Sequence, residues 1–157
     1  MTVDGTLSGQ TAVVVGGSSG IGFASARALL SAGAAVTIVG RSDERLTKAA
    51  GSLGSGVATA SVDCADESAA ATFFEGVQNL DHLVISLAGG AALGPFTEVP
   101  VQGVRETFDG KFWPYLIAMH HGAKRLSDTG TMTLVTGASA IAAVPSASSL
   151  GAVNGAL

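Results

Sequence analysis

A doubly wound α/β fold, with helices on both faces of a parallel sheet, is predicted for this chain by two patterns. Short β-branched runs alternate with alanine-rich helical stretches along the sequence, which is how strand–helix–strand crossovers read. The first of these runs passes through a glycine cluster directly into a helix. The length of 157 residues agrees, being enough for one domain with a real core.

Residues 11–15 form the predicted first strand. The helix after the glycine cluster covers about 20–32, with Ile21, Ala24, Ala28 and Leu29 along one face and Gly33 as its stop. Residues 35–39 make the second strand, and a short helix opens after Ser42 and Asp43. Residues 57–62 read as the third strand, followed by a helix that Asp66 caps and that carries Phe73, Phe74 and Val77. The fourth strand is 82–87, ending in Ala88, Gly89 and Gly90. A loop with Gly94, Pro95 and Pro100 leads to a long helix over about 101–126, in which Pro114 should produce a kink or local break. The fifth strand is 131–136, and a last helix opens at Ser148 or Ser149. A sheet of this kind normally continues to a sixth strand, so residues 1–157 are expected to be a single domain lacking the later strands.

The bulk numbers exclude several functions. Hydrophobic residues make up 47% and charged residues 13%, which argues against disorder. A net charge of −4 offers no basic field for nucleic acid. A single cysteine, Cys64, forbids an internal disulfide and suits a reducing compartment. The longest apolar runs, such as 36–39 and 83–88, are too short for a membrane span, and no signal peptide is evident. A cytoplasmic protein without a membrane or nucleic-acid partner is the expectation. His120 and His121 are adjacent and point about 100° apart on a helix, so no metal site is expected.

The segment VVVGGSSGIG sets Gly16, Gly20 and Gly22 between strand and helix. Such a loop aims backbone N–H groups and the positive helix end at a phosphate. Gly16 permits the turn, Gly20 lets the backbone approach a pyrophosphate, and Gly22 allows helix and strand to pack closely. Ser18, Ser19 and Ile21 complete this cofactor-binding loop. The architecture is therefore Rossmann-like. At the end of the second strand stand Gly40, Arg41 and Ser42, where an acidic residue would select NAD through its ribose hydroxyls. A guanidinium can pair with a 2′-phosphate and Ser42 can add a hydrogen bond, so NADP(H) is the expected cofactor, with NAD left open.

Through GGSSGIGFASARALLSAGAAVTIVGR, VDCAD and LAGG the sequence resembles the short-chain dehydrogenase/reductase family. Val15 departs from that family's usual threonine, and Ser86 and Leu87 replace the asparagines of its NNAG motif. The resemblance implies that Ala88 and Gly89 pass the cofactor ribose, and that Asp63, with Cys64 beside it, meets the adenine amino group. A turn or capping role for Asp63 remains equally open. Cys64 has no basic neighbour in sequence and reads as a small buried hydrophobe.

The resemblance also implies a serine that orients the substrate oxygen, a tyrosine acid/base, a lysine four residues after it and an asparagine on the long helix. In this sequence those positions fall on Gly137, Leu150, Asn154 and Lys111, with Ser139 two residues late and Ser149 one residue early. Leucine cannot move a proton, whereas Asn154 can still bond a ribose hydroxyl. Lys111 brings a cation to the cleft and Tyr115 lies one helical turn farther on, making them a candidate rebuilt acid/base couple. The competing reading of Tyr115 is a core aromatic with a satisfied hydroxyl. Two functions stay open: an NADP(H)-dependent oxidoreductase acting on a carbonyl or alcohol, and a non-catalytic NADP(H)-binding sensor or degenerate relative. The long helix and the final helix are, by the same resemblance, expected subunit contacts in a homo-oligomer.

Overall fold

The computed structural model describes residues 5–89 and 92–157. Five parallel strands form one sheet in the order β3-β2-β1-β4-β5, comprising β1 (Thr11–Val15), β2 (Ala35–Gly40), β3 (Val57–Ser61), β4 (Leu80–Ile85) and β5 (Leu126–Leu134). The helices between them are α1 (Gly20–Ser31), α2 (Asp43–Leu53), α3 (Glu67–Glu75), α4 (Val101–Thr107), α5 (Trp113–Ala123) and, after β5, α6 (Ser148–Ala156).

Strand periodicity divides the core in two. Val13 and Val15 face one side with Leu83 and Ile85, against Phe74 of α3 and Tyr115 and Ala118 of α5. Ala12 and Val14 face the other with Val36 and Ile38, against Ala26 of α1 and Leu46 and Ala49 of α2. Burying both faces of β1 explains its continuous apolar run. Each fully buried valine or isoleucine contributes on the order of 1.5–3 kcal/mol. Two caps follow the sequence: Ser42 accepts from the Arg45 N–H at 3.3 Å, and Asp66 accepts from the Ala69 N–H at 3.1 Å.

Three boundaries differ from expectation. The long helix breaks one turn before Pro114, as a π turn over Phe108–Phe112, and Pro114 lies in the first turn of α5. Proline has no N–H for the carbonyl four residues back, and the wider turn absorbs that loss. β5 begins at Leu126, with a register shift opposite Leu80 and His82. Its Ser-Asp-Thr-Gly stretch reads as a loop in sequence. Ser127 instead donates to Asp81 Oδ1 at 2.9 Å, and Asp81 Oδ2 accepts from the Thr11 N–H at 2.8 Å. β4 runs over Leu80–Ile85, two residues earlier than the expected 82–87, which places His82 within the strand, its ring bonded to Gln10 and Thr131 at 2.7 and 2.8 Å.

Strand order reverses between β1 and β4, since the chain fills one side of β1 before crossing to the other. In open α/β sheets the crevice beyond the carboxyl ends of such strands is where ligands bind.

Candidate active site

The loop after β1 is built by close approaches. Gly16 has φ +82°, and a β-carbon there would overlap the Ser86 carbonyl at the end of β4. Gly22 lies so near Gly16 that its own β-carbon would overlap the Gly16 carbonyl. Gly20, with φ +56°, has open space where a side chain would project. The three glycines thus divide into turn, packing and open approach. Gly17 escaped the sequence reading, yet a β-carbon there would stand 2.6 Å from Ile38 Cγ2. Ser19 is the N-cap of α1 but makes no capping hydrogen bond, so the first-turn N–H groups have no side-chain acceptor. Ser18 is half-buried beside Gly40, and Ile21 is exposed. An uncapped helix start beside an unobstructed glycine fits the pyrophosphate of a dinucleotide.

Arg41 is exposed immediately after β2, beside Ser42. The Ser42 oxygen is occupied in capping α2, which leaves its hydrogen for donation. Asp63 is exposed and its Oδ1 accepts from the Ala65 N–H at 3.0 Å, an Asx-type turn. Its Oδ2 makes no hydrogen bond among the described residues. Cys64 is buried, and burial, aided by the Asp63 carboxylate, pushes its thiol up to about 11. It packs in the core with Val15 and Val39 as a small hydrophobe.

The loop after β4 meets the π turn. A β-carbon on Gly89 would come within 2.7 Å of the Gly110 carbonyl and 2.9 Å of Lys111 Cβ, so only glycine lets the two backbones approach. Ala88 beside it is exposed, and Gly90 lies outside the described residues. Lys111 is only 8% exposed, and its Nζ donates to Asn154 Oδ1 at 2.6 Å. It lies 5.7 Å from the Tyr115 ring centroid, within cation–π range. Burial lowers the Lys111 ammonium pKa. Asn154, itself buried on α6, donates through Nδ2 to Ser139 Oγ at 2.8 Å.

Sequence reasoning paired Lys111 with Tyr115, and the fold does bring them together. Tyr115 is fully buried, however, and its hydroxyl donates to the Val135 carbonyl at 2.6 Å while accepting from the Leu87 N–H at 3.1 Å. That hydroxyl ties the exits of β4 and β5, and burial raises its pKa. Gly137 leaves room that Asn154 fills: a β-carbon there would sit 2.8 Å from Asn154 Nδ2. Ser149 donates to the Ala92 carbonyl and pins the loop after β4 to α6. Leu150 is half-buried on the same helix. The Lys111–Asn154–Ser139 chain was not legible in sequence, because its members lie 43 and 15 residues apart.

The sequence profile described as "short chain dehydrogenase" matches residues 10–151. A short chain dehydrogenase of Pseudocercospora fijiensis is 35% identical over 102 residues, covering 61% of this chain and 33% of that protein. A short chain dehydrogenase/reductase of Macrophomina phaseolina is 37% identical over 91 residues, covering 55% and 52%. Among solved structures, a short chain dehydrogenase/reductase family protein superposes with TM-score 0.84 at 30% identity, covering 96% of this chain and 65% of that one. A short-chain type dehydrogenase/reductase from Mycobacterium ulcerans gives TM-score 0.89 at 26% identity, covering 96% and 59%. The chain therefore spans about a third to a half of the length of these two curated relatives.

Proposed function

The chain belongs to the short chain dehydrogenase family, and from that premise we propose that it is an NADP(H)-dependent oxidoreductase acting on a carbonyl or alcohol. The family generally uses NAD(P). The observation that carries the choice of cofactor is Arg41, exposed at the end of β2 next to the free hydrogen of Ser42, where an acidic residue would favour NAD. Gly16, Ser18, Ser19, Gly20, Ile21 and Gly22 would hold the pyrophosphate, Asp63 and Cys64 the adenine end, and Ala88, Gly89 and Asn154 the ribose near the reacting ring. When bound, the nicotinamide supplies or takes up a hydride. Lys111 carries the proton-bearing role in this reading, and Tyr115 supports it through its ring, holding the ammonium by cation–π attraction.

The second reading, a cofactor-binding protein without turnover, draws support from Leu150 and from the commitment of the Tyr115 hydroxyl to backbone. Assay of NADPH oxidation against a panel of aldehydes and ketones, beside NADPH-dependent thermal stabilisation, separates the two. Stabilisation with turnover supports the enzyme; stabilisation without turnover supports the sensor. Absence of both ends the cofactor assignment.

Exposed Trp113 and Leu116 on α5, lining a depression of about 620 Å³ with Ile117 and His120, support self-association through that helix. The final helix α6 belongs to the same proposal. Among the described residues no helix is long and apolar enough to cross a membrane. A small-molecule substrate in the cytoplasm, with no nucleic-acid partner, completes the proposal.

A further inference from the structure

The buried Lys111 ammonium is partnered but not neutralised. Its Nζ donates to Asn154 Oδ1 at 2.6 Å, and the Tyr115 ring centroid lies 5.7 Å away. The other end of the amide is taken, with Nδ2 donating to Ser139 Oγ at 2.8 Å, so the Asn154 oxygen stays on the ammonium. An amide oxygen and an aromatic face solvate a cation without cancelling its charge. Among the described residues no carboxylate forms an ion pair with Lys111. Glu98 of the loop after β4, Arg105 and Glu106 of α4, Asp109 of the π turn and His120 of α5 are exposed. His121 of α5 lies 3.6 Å from Glu67 instead. The Tyr115 hydroxyl, turned to the Val135 carbonyl and raised in pKa by burial, stays neutral. α6 and the 138–140 turn carry no charged side chain. Such a charge costs stability, and it acts on any other charge that enters the crevice.

The function proposed above puts Gly89 and Asn154 at the ribose next to the reacting ring. Lys111 bonds Asn154 through Nζ, and the Gly89 backbone packs against it, since a β-carbon on Gly89 would come within 2.9 Å of Lys111 Cβ. NADPH and NADP+ share every phosphate. They differ in charge only at that ring, which is neutral when reduced and cationic when oxidised. We propose that Lys111 sorts the two redox forms, its ammonium opposing the cationic ring of NADP+ while accepting the neutral ring of NADPH. The protonated site therefore holds the reduced cofactor. This inference deepens the oxidoreductase reading and rests on it. Burial lowers the Lys111 pKa. As pH rises through the lowered value the amine loses its charge, the repulsion ends and NADP+ affinity climbs relative to that of NADPH. By linkage, bound NADP+ favours the neutral amine and bound NADPH leaves the ammonium in place.

The test is titration calorimetry of NADPH and NADP+ with the parent and Lys111→Met from about pH 6 to about pH 10, read as the ratio of the two affinities. The 2′-phosphate titrates at about pH 6 in both nucleotides and cancels in that ratio. Near pH 7 the parent should favour NADPH by a ratio at least about 10-fold above that of Lys111→Met, as expected for one unit charge facing another in a partly dry site. The parent's ratio should fall as pH rises, and that of Lys111→Met should stay flat. A parent ratio that does not change with pH overturns the inference without reference to any variant. So does a ratio equal in parent and Lys111→Met. Failure of the parent to bind either nucleotide overturns the cofactor reading and this inference with it, whereas binding of both with an unaltered ratio overturns this inference alone.

Discussion

Gly22 stands so close to Gly16 that a β-carbon at position 22 would overlap the Gly16 carbonyl oxygen. Gly22→Ala must therefore push α1 away from the end of β1, at a cost of about 1–3 kcal/mol for overpacking. Gly20 has space but a φ of +56°, so Gly20→Val meets backbone strain of about 1–2 kcal/mol and adds bulk where a pyrophosphate would lie. Both variants should lose nucleotide-dependent stabilisation in a thermal-shift assay. Folded Gly20→Val binding NADPH like the parent would show that the loop does not hold the phosphates.

Arg41→Ala tests cofactor choice. NADPH affinity should fall by about 1.5–3 kcal/mol, the value of a charge-assisted contact, while NADH affinity barely changes. Equal losses for both nucleotides in titration calorimetry would assign Arg41 to a shared group or to the fold.

Buried Lys111 has its pKa lowered by desolvation. Between its folded and unfolded pKa values the unfolded chain binds more protons, so stability rises with pH across that window. Lys111→Met removes the buried charge and should melt at least as high as the parent near pH 7. Its advantage should shrink as pH climbs toward the ordinary lysine range near 10.4. Melting curves at several pH values decide it. A variant less stable than the parent throughout would make Lys111 a structural contributor.

Rebuilding the family's catalytic set requires four substitutions. Asn154→Lys alone would set a second ammonium against Lys111, and a serine side chain at position 137 would crowd Asn154, 2.8 Å away. Gly137→Ser, Leu150→Tyr and Asn154→Lys together should therefore lose about 3–5 kcal/mol of stability. Adding Lys111→Asn should recover it and give carbonyl reduction above any subset, because such residues act as one unit. Stability of the triple variant equal to that of the quadruple would refute the coupling between positions 111 and 154.

The strand–glycine–helix start was legible because its causes are local: the valines of β1, the φ of Gly16 and the uncapped opening of α1. The order of the elements followed from hydrophobic period in the same way. Helix–strand packing by Gly22 was also readable, since spacing alone sets it against Gly16. The π turn was not, because Pro114 announces a break without saying where the chain will absorb it. The early start of β5 hid behind Ser127, whose partner Asp81 is 46 residues away. The roles of Lys111, Asn154 and Ser139 depend on three separate elements meeting beyond the sheet, and no pattern within any one of them reports that meeting.

Titration calorimetry of the parent protein with NADPH and with NADH, side by side, tests the cofactor assignment most directly. The Gly16–Gly22 loop and Arg41 predict saturable 1:1 binding of NADPH and weaker binding of NADH, with an affinity ratio of at least about 10, the equivalent of 1.4 kcal/mol. Absence of binding by either nucleotide, or tighter binding of NADH, would contradict it.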